Sequence, residues 1–312
     1  MQEGEKKMKT VIIIVNQQSG RTEKEELVTK IVDFFAQQIQ DHYQVTVLYP
    51  SSAKEAKKLA KEASVNQVDL VLPIGGDGTI NLVCAGVFEG GSHSTIGIVP
   101  SGTVNNVAKS LNIPLVTDQA LETLVTGHST RLDLAQVNDD YMLSSLTLGL
   151  MADIALSVTP ENKRRLGPWA FIKAGWKIWL RQRSYKLWLV HDGIKRKLKT
   201  KLLLITMTNH IAGQTAFAPE ESHNDGMFSV YSLDKIHLLR FMWFYFIRKG
   251  NFNDYRHWEH FRTSQLEIIS RRKSSSRNPI TRIDGDTRFR LPVHIKIHQK
   301  AIAVLVPSSK TP

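Results

Sequence analysis

Apolar positions in the first 126 residues fall in short continuous runs separated by amphipathic stretches. Residues 10–16 (TVIIIVN) are apolar and β-branched without alternation, as in a strand buried on both faces. Beyond them Leu27, Ile31, Phe34, Phe35 and Ile39 recur at helical spacing, and Thr22 with Glu25 forms a capping-box pattern at the predicted helix start. Residues 44–49 predict a second strand, 54–63 a second helix and 68–74 a third strand, which runs into Gly75-Gly76-Asp77-Gly78-Thr79. Residues 80–88 predict a helix, and 95–99 a fourth strand ending in Pro100-Ser101-Gly102-Thr103. Strands alternating with helices at this spacing predict an α/β domain with a parallel, doubly wound sheet.

Near Ser129 the pattern changes to short strands joined by tight turns. Residues 133–137 and 141–147 flank Asn138-Asp139-Asp140, and 185–190 and 197–206 flank His191-Asp192-Gly193, where Asp-Gly is a strong hairpin signal. Further strands are predicted over 227–231, 265–270, 294–298 and 301–306, and helical insertions over 161–183 and 235–249. The expectation is therefore an α/β domain over 1–128 and an antiparallel β domain over 129–298. Because 301–306 is apolar throughout, like the doubly buried strands, the segment 299–312 is expected to return to the first domain.

Composition narrows the setting. A chain of 312 residues can bury two ordinary cores. Its one cysteine, Cys84, rules out an intramolecular disulfide framework and fits a reducing compartment. The start, MQEGEKKMKT, is too polar for a signal peptide. The longest aromatic-aliphatic run, 236–247, is broken by His237 and Arg240 and is too short for a hydrocarbon layer of roughly 30 Å. A cytoplasmic protein is expected. The formal charge of +12 fits an anionic partner, whether nucleic acid, membrane surface or polyphosphate, or generic solubility, and does not by itself choose among them.

The candidate chemistry lies in the loops. Gly75 to Thr79 leaves an apolar strand and enters a helix, where free amides and the helix dipole favour phosphate. Glycines let the backbone approach a ligand closely. The carboxylate of Asp77 inside such a loop calls for a cation between it and phosphate. Asn16-Gln17-Gln18-Ser19-Gly20 ends the first strand and Ser101-Gly102-Thr103 the fourth, so three loops share the carboxyl edge of one sheet, where ligands bind. A Walker A sequence and a G-x-G-x-x-G fingerprint are both absent, which disfavours P-loop and Rossmann readings.

The ordered set NQQSG, GGDGTIN, PSGTVNN, RLDL, NDGMF and IDGD resembles the catalytic region of the bacterial diacylglycerol kinase family. That resemblance implies an NAD-kinase-like α/β domain followed by a β-sandwich, and transfer of phosphate from ATP to a lipid hydroxyl with Mg²⁺. It implies nucleotide contacts from Asn16, Gln17, Gln18, Ser19 and Gly20, from Ser51, from Gly75, Gly76, Asp77, Gly78, Thr79, Ile80 and Asn81, and from Thr103. A metal site is implied at Ser222, Asp225 and Met227, with Asp77 and Asp133 holding Mg²⁺ through water. The Asp-Gly-acid element falls on Asp284-Gly285-Asp286, with Asp286 as proton acceptor. Departures from the family pattern are Gln17 for proline, Leu82 for glutamate, Asn106 for aspartate and Asp286 for glutamate. GGDGT is shared with NAD kinases, which makes an NAD kinase the alternative enzyme; Asn106 and Leu82 leave room for a degenerate lipid- or nucleotide-binding protein.

Residues 163–183 (KRRLGPWAFIKAGWKIWLRQR) mix Trp169, Phe171, Trp176 and Trp179 with seven lysines and arginines, a composition suited to an anionic membrane interface or to packing inward. Peripheral membrane association with a lipid substrate is expected rather than nucleic-acid binding. The basic stretch 195–201 could form a strand edge facing a second copy. His257 and His260 are expected on a surface helix, while His294, Lys296 and His298 alternate as the wet face of a strand.

Overall fold

A computed structural model describes residues 8–17, 21–38, 42–149, 184–209, 222–235, 258–271, 278–284 and 287–308. Gln18, Ser19, Gly20, Gly285, Asp286, His257, the predicted insertion at 161–183 and all but Lys235 of the one at 235–249 lie outside the described residues. The chain divides into two compact units, Met1–Leu134 with Gln299–Pro312, and Ala135–His298.

The first unit contains β1 (Lys9–Val15), α1 (Arg21–Ala36), β2 (Tyr43–Leu48), α2 (Ala53–Val65), β3 (Leu70–Ile74), α3 (Asp77–Glu89), β4 (Thr95–Ile96), α4 (Asn106–Ser110) and α5 (Thr117–Thr126). Its sheet runs β2-β1-β3-β4 and is closed by the last half of β16 (Val293–Val306). Every one of these pairings is parallel, the last setting Ala303 beside Thr95 and Val304 beside Ile96. The apolar runs of β1 and β3 follow from this: both are flanked by strands, and Ile13, Ile14, Leu72 and Ile74 are fully buried. On α1 the buried stripe is Lys24, Val28, Ile31 and Phe35, the i, i+4, i+7, i+11 positions of one face. Helix α1 begins at Arg21, which puts Thr22 inside it rather than at its cap. A side-chain cap sits instead at α2, where the Ser52 hydroxyl accepts the Glu55 amide at 3.2 Å and the Glu55 carboxylate accepts the amide of Ser51, one residue before the cap, at 2.7 Å.

The division falls inside β5 (His128–Val137) and β16. The second unit then contains β6 (Asp140–Met142), β7 (Ser145–Gly149), β8 (Tyr185–His191), β9 (Ile194–Thr200), β10 (Leu202–Thr206), β11 (Phe228–Leu233), β12 (Trp258–Thr263), β13 (Gln265–Ser270), β14 (Ile280–Ile283) and β15 (Thr287–Arg290). One antiparallel sheet is β12-β11-β10-β7-β14-β15, and a second is β16-β13-β8-β9. They form a sandwich: Leu146, Leu148, Ile205, Phe228 and Val230 of the first pack with Leu187, Leu189, Leu266, Ile268 and Val293 of the second in one buried cluster.

Three expectations are corrected here. The predicted strand 197–206 is two strands in different sheets, because the chain crosses between layers at Lys201, whose amide bonds the Leu233 carbonyl at 2.9 Å. The predicted strand 141–147 is likewise broken between β6 and β7. His260 lies on strand β12, not on a helix; its ring stacks on Tyr231 at 4.4 Å, across the β11–β12 ladder.

Candidate active site

In the first unit β1, β3 and β4 run parallel, so their carboxyl ends open on one edge. Hydrogen bonds knit the three following loops together. Asn16, at the end of β1, donates its amide to the Ile74 carbonyl at 3.0 Å and its side-chain Nδ2 to Thr79 Oγ1 at 2.9 Å. Ser101, after β4, grips Gly75 from both sides: its hydroxyl accepts the Gly75 amide at 2.9 Å and donates to the Gly75 carbonyl at 3.0 Å. A Cβ on Gly102 would stand 2.8 Å from the Gly76 Cα, so the two loops meet backbone to backbone and only glycine allows it. A Cβ on Gly75 would lie 2.3 Å from Thr79 Oγ1, filling the hydroxyl's own place.

The loop after β4 is shaped by Asn105, which holds φ 54° and ψ 47°. Its Oδ1 accepts the Gly102 amide at 2.9 Å and its Nδ2 donates to the Gly102 carbonyl at 3.0 Å. Asparagine occupies the left-handed region more readily than other side chains, so the residue type suits the turn. Asp77, in the first turn of α3, completes the ring. Its carboxylate accepts the amides of Asn106 at 3.1 Å and Val107 at 3.2 Å, capping α4 from another element.

What this arrangement offers a ligand is the start of α3. Its cap is Gly76, which brings no side chain to the helix end. The amides of Thr79 and Ile80 turn back to the Gly76 carbonyl at 2.9 and 3.1 Å. Those of Asp77 and Gly78 have no acceptor among the described residues, and with the helix dipole they can receive an anion. Beneath the first loop lies Lys24, 8% exposed, whose ammonium donates to the Asn16 carbonyl. Burial lowers its pKa from the usual lysine value.

The remaining nucleotide candidates fall in three groups. Gly75, Gly76, Asp77, Gly78 and Thr79 form the loop itself, with Gln17 and Thr103 exposed on the flanking loops. Ile80 is 1% exposed and Asn81 4%, so Ile80 belongs to the core side of α3 and reaches the loop only through its amide. Ser51 donates its hydroxyl to Glu55 at 2.6 Å, a bond that lowers the Glu55 pKa and ties Ser51 to the start of α2. The sequence marks Ser101 only as part of a candidate loop and gives no sign of its grip on Gly75; the parts played by Asn105 and Lys24 were not foreseen either. Position 24 extends the apolar stripe of α1 backwards, and that extension was the signal for a lysine turned inward.

The acids expected to serve metal or proton transfer are mostly anchored to backbone. Asp133 is 3% exposed and accepts the Lys300 amide at 2.7 Å, where Lys300 has a φ of 51°. Asp284 accepts three amides, from Leu143 at 2.8 Å, Ser144 at 3.0 Å and Ser145 at 2.7 Å, which holds the bend between β6 and β7. At Ser222, Asp225 and Met227, where the resemblance implies one carboxylate and two backbone carbonyls as metal ligands, the carboxylate already has partners. Asp225 Oδ1 accepts the Met227 amide at 3.1 Å, and Oδ2 is ion-paired with the Arg262 guanidinium. Ser222 donates to Asn224 Oδ1 at 3.1 Å. The carboxylate is thus already neutralised by a protein cation. Among the described residues no group of three or more His, Cys, Asp or Glu side chains is gathered for a metal, and no helix is long and apolar enough to cross a membrane.

Residues 10–137 match the family model for the diacylglycerol kinase catalytic domain. The chain is 31% identical over 236 residues to a diacylglycerol kinase of Bacillus subtilis (strain 168), covering 75% of this chain and 77% of that protein. It is 26% identical over 226 residues to a diacylglycerol kinase of Staphylococcus aureus (strain bovine RF122 / ET3-1), covering 72% and 71%. A solved structure from Bacillus anthracis str. Sterne superimposes with a TM-score of 0.79 at 21% identity over 99% of both chains. A second from that organism, a diacylglycerol kinase, gives 0.75 at 21% over 96% of this chain and 98% of that one. The structural likeness shows the shared fold, and the sequence matches show the lineage. A glycine-capped helix at the carboxyl edge of a parallel sheet, a β-sandwich after it and these relatives lead to one conclusion: the chain belongs to the diacylglycerol kinase family and is a lipid kinase.

Proposed function

We propose that this kinase takes the γ-phosphoryl group of ATP and places it on the hydroxyl of diacylglycerol or a closely related membrane lipid, with Mg²⁺ as the accompanying cation. The observation that carries the reading is the start of α3, where a glycine cap leaves two amides open inside a ring of cross-bonded loops. Such a site favours a polyphosphate over any neutral ligand. When bound, Mg²⁺ would supply charge neutralisation on the phosphates. In the first unit, Asn16 and Ser101 fix the loops against Thr79 and Gly75, so the amides need no rearrangement as charge develops. The lipid hydroxyl oxygen forms the new bond to phosphorus as the bond to the ADP oxygen breaks, and the hydroxyl proton goes to a carboxylate, for which Asp286 is the candidate by resemblance. The protein works from the cytoplasm at the membrane surface.

The test is transfer of label from γ-³²P ATP to lipid in mixed micelles containing diacylglycerol, with and without Mg²⁺. Labelled phosphatidic acid, formed only with the cation present, is the expected product. Label entering NAD instead, or no lipid product under any condition, would overturn the proposal.

A further inference from the structure

The strongest unassigned feature is the outer face of the second unit at β8, β9 and β13. On β8 the side chains of Leu187 and Leu189 enter the core, which turns Lys186 and Trp188 outward. On β9 Leu198 enters the core, which turns Lys195, Lys197 and Lys199 outward, and on β13 the inward Leu266 and Ile268 leave position 271 on the same outer face. Register brings these together: Lys199 stands directly opposite Lys186, Lys197 opposite Trp188, and the Arg271 amide bonds the Lys186 carbonyl at 3.0 Å. Three cations ring one indole, with Lys195 Nζ at 5.1 Å, Lys197 Nζ at 5.4 Å and Arg271 Cζ at 5.3 Å from the centre of Trp188.

Folding alone gives no reason for this cluster. Lysines on an edge strand discourage aggregation, and β9 ends its sheet, but Lys186 lies on an interior strand and Arg271 directly follows another. Like charges directly opposite across a ladder are destabilising, as Lys186 and Lys199 are. None of the five cations has a carboxylate partner among the described residues. The acid on this face, Glu267, is turned to His294 at 3.6 Å.

We infer that this sheet face is the surface by which the kinase docks on an anionic bilayer, with Trp188 seated at the headgroup level among Lys186, Lys195, Lys197, Lys199 and Arg271. Charge complementarity selects an anionic surface. A tryptophan held among lysines favours a lipid interface, where its ring has one apolar and one wet side. The inference rests on the lipid-kinase reading for its choice of partner and names the face that reading leaves open.

The experiment compares the full chain with a Lys195→Gln, Lys197→Gln, Arg271→Gln variant and with Trp188→Ala. Binding is measured by co-sedimentation with vesicles of phosphatidylglycerol mixed with phosphatidylcholine, and with phosphatidylcholine alone. Each basic residue near such a surface contributes about a fivefold factor in affinity, so the triple variant loses roughly a hundredfold or more for the anionic vesicles. Trp188→Ala weakens binding to them as well, and binding by the natural chain falls as salt rises. All forms keep the same turnover on a short-chain, water-soluble diacylglycerol, which shows that they are folded. Equal vesicle binding by the triple variant overturns the inference, as does a natural chain that ignores anionic vesicles. So does a face that holds duplex DNA more tightly than vesicles at the same salt, or that pairs two copies of the chain. A natural chain that binds vesicles through this face but phosphorylates no lipid sinks the proposed function and leaves the docking face standing.

Discussion

Replacing Asp77 separates two roles that the loop combines. As a carboxylate serving metal and phosphate alone, it would contribute little to stability, and Asp77→Ala would melt like the natural chain. The structure gives it a second task, because both oxygens hold the first amides of α4, at 3.1 and 3.2 Å. Hydrogen bonds to a charged group are worth about 1.5–3 kcal/mol each, and removing one partner leaves the other unsatisfied. These two are long and Asp77 is half-buried, so the low end applies, and water recovers part of it. The expected cost of Asp77→Ala is about 2–3 kcal/mol. At roughly 2–4 °C per kcal/mol, Tm falls by about 4–12 °C. Asp77→Asn keeps one acceptor oxygen for one amide and costs about half as much. Thermal unfolding gives the sum, and hydrogen exchange at the Val107 amide locates it, rising sharply in the alanine variant. Transfer to lipid is lost in both variants, since neither keeps the charge. An alanine variant melting within about a degree of the natural chain would refute the capping role, and an asparagine variant with full turnover would refute the chemical one.

Other expectations are shorter to state. Asn106→Asp adds a carboxylate in the first turn of α4, beside the oxygens of Asp77, and raises the apparent affinity for Mg²⁺; turnover curves against Mg²⁺ that superimpose would place Asn106 outside the cation's reach. Arg262→Met removes the guanidinium from Asp225 and makes the melting temperature depend on Mg²⁺, while the natural chain melts alike in Mg²⁺ and in chelator; a natural chain destabilised by chelator would show that this loop already needs a metal. The pKa of His298 is lowered, first by burial and then by Lys296. The unfolded chain therefore takes up the proton first, and stability falls as pH drops from about 6.5 through the lowered folded value, then levels. His298→Gln flattens that arm of a urea-midpoint curve, and an unchanged arm assigns it to another group.

The parts of the fold legible in the sequence are those where burial alone determines the pattern. β1 and β3 are flanked on both sides, so TVIIIVN and the run before Gly75 read as strands at once. Where hydrogen-bond partners decide, the pattern was silent. Ile98 and Val99 are as buried as any strand residue, yet β4 stops at Ile96. Residues 197–201 alternate lysine with leucine or threonine and 202–205 are apolar throughout, but nothing in that shift says that the two strands join different sheets. The stretch WEHFRT became β12 because β11 lies beside it, a fact no local spacing carries. In the site, glycines and small polar residues marked the loops, since few other residues fit there. The bonds between loops were hidden: that Ser101 grips Gly75, or that Asp77 caps α4, depends on two segments far apart in sequence meeting in space.

Those bonds also rank the acids. A carboxylate offers about four acceptor sites. Asp284 gives three of them to the amides of Leu143, Ser144 and Ser145 and has a further partner besides, so its oxygens are engaged in holding the bend before β7. Asp225 shares its oxygens between the Met227 amide and Arg262. Asp77 gives two sites to α4 and keeps about two more for a hydrated cation, beside the open amides of its own helix. Both α4 and the start of α3 thus position this carboxylate, and an acid held by two helices keeps its place when phosphate arrives. The capping bonds that make Asp77 matter for stability also leave it, on the proposed reading, as the acid that would hold the cation against the phosphates.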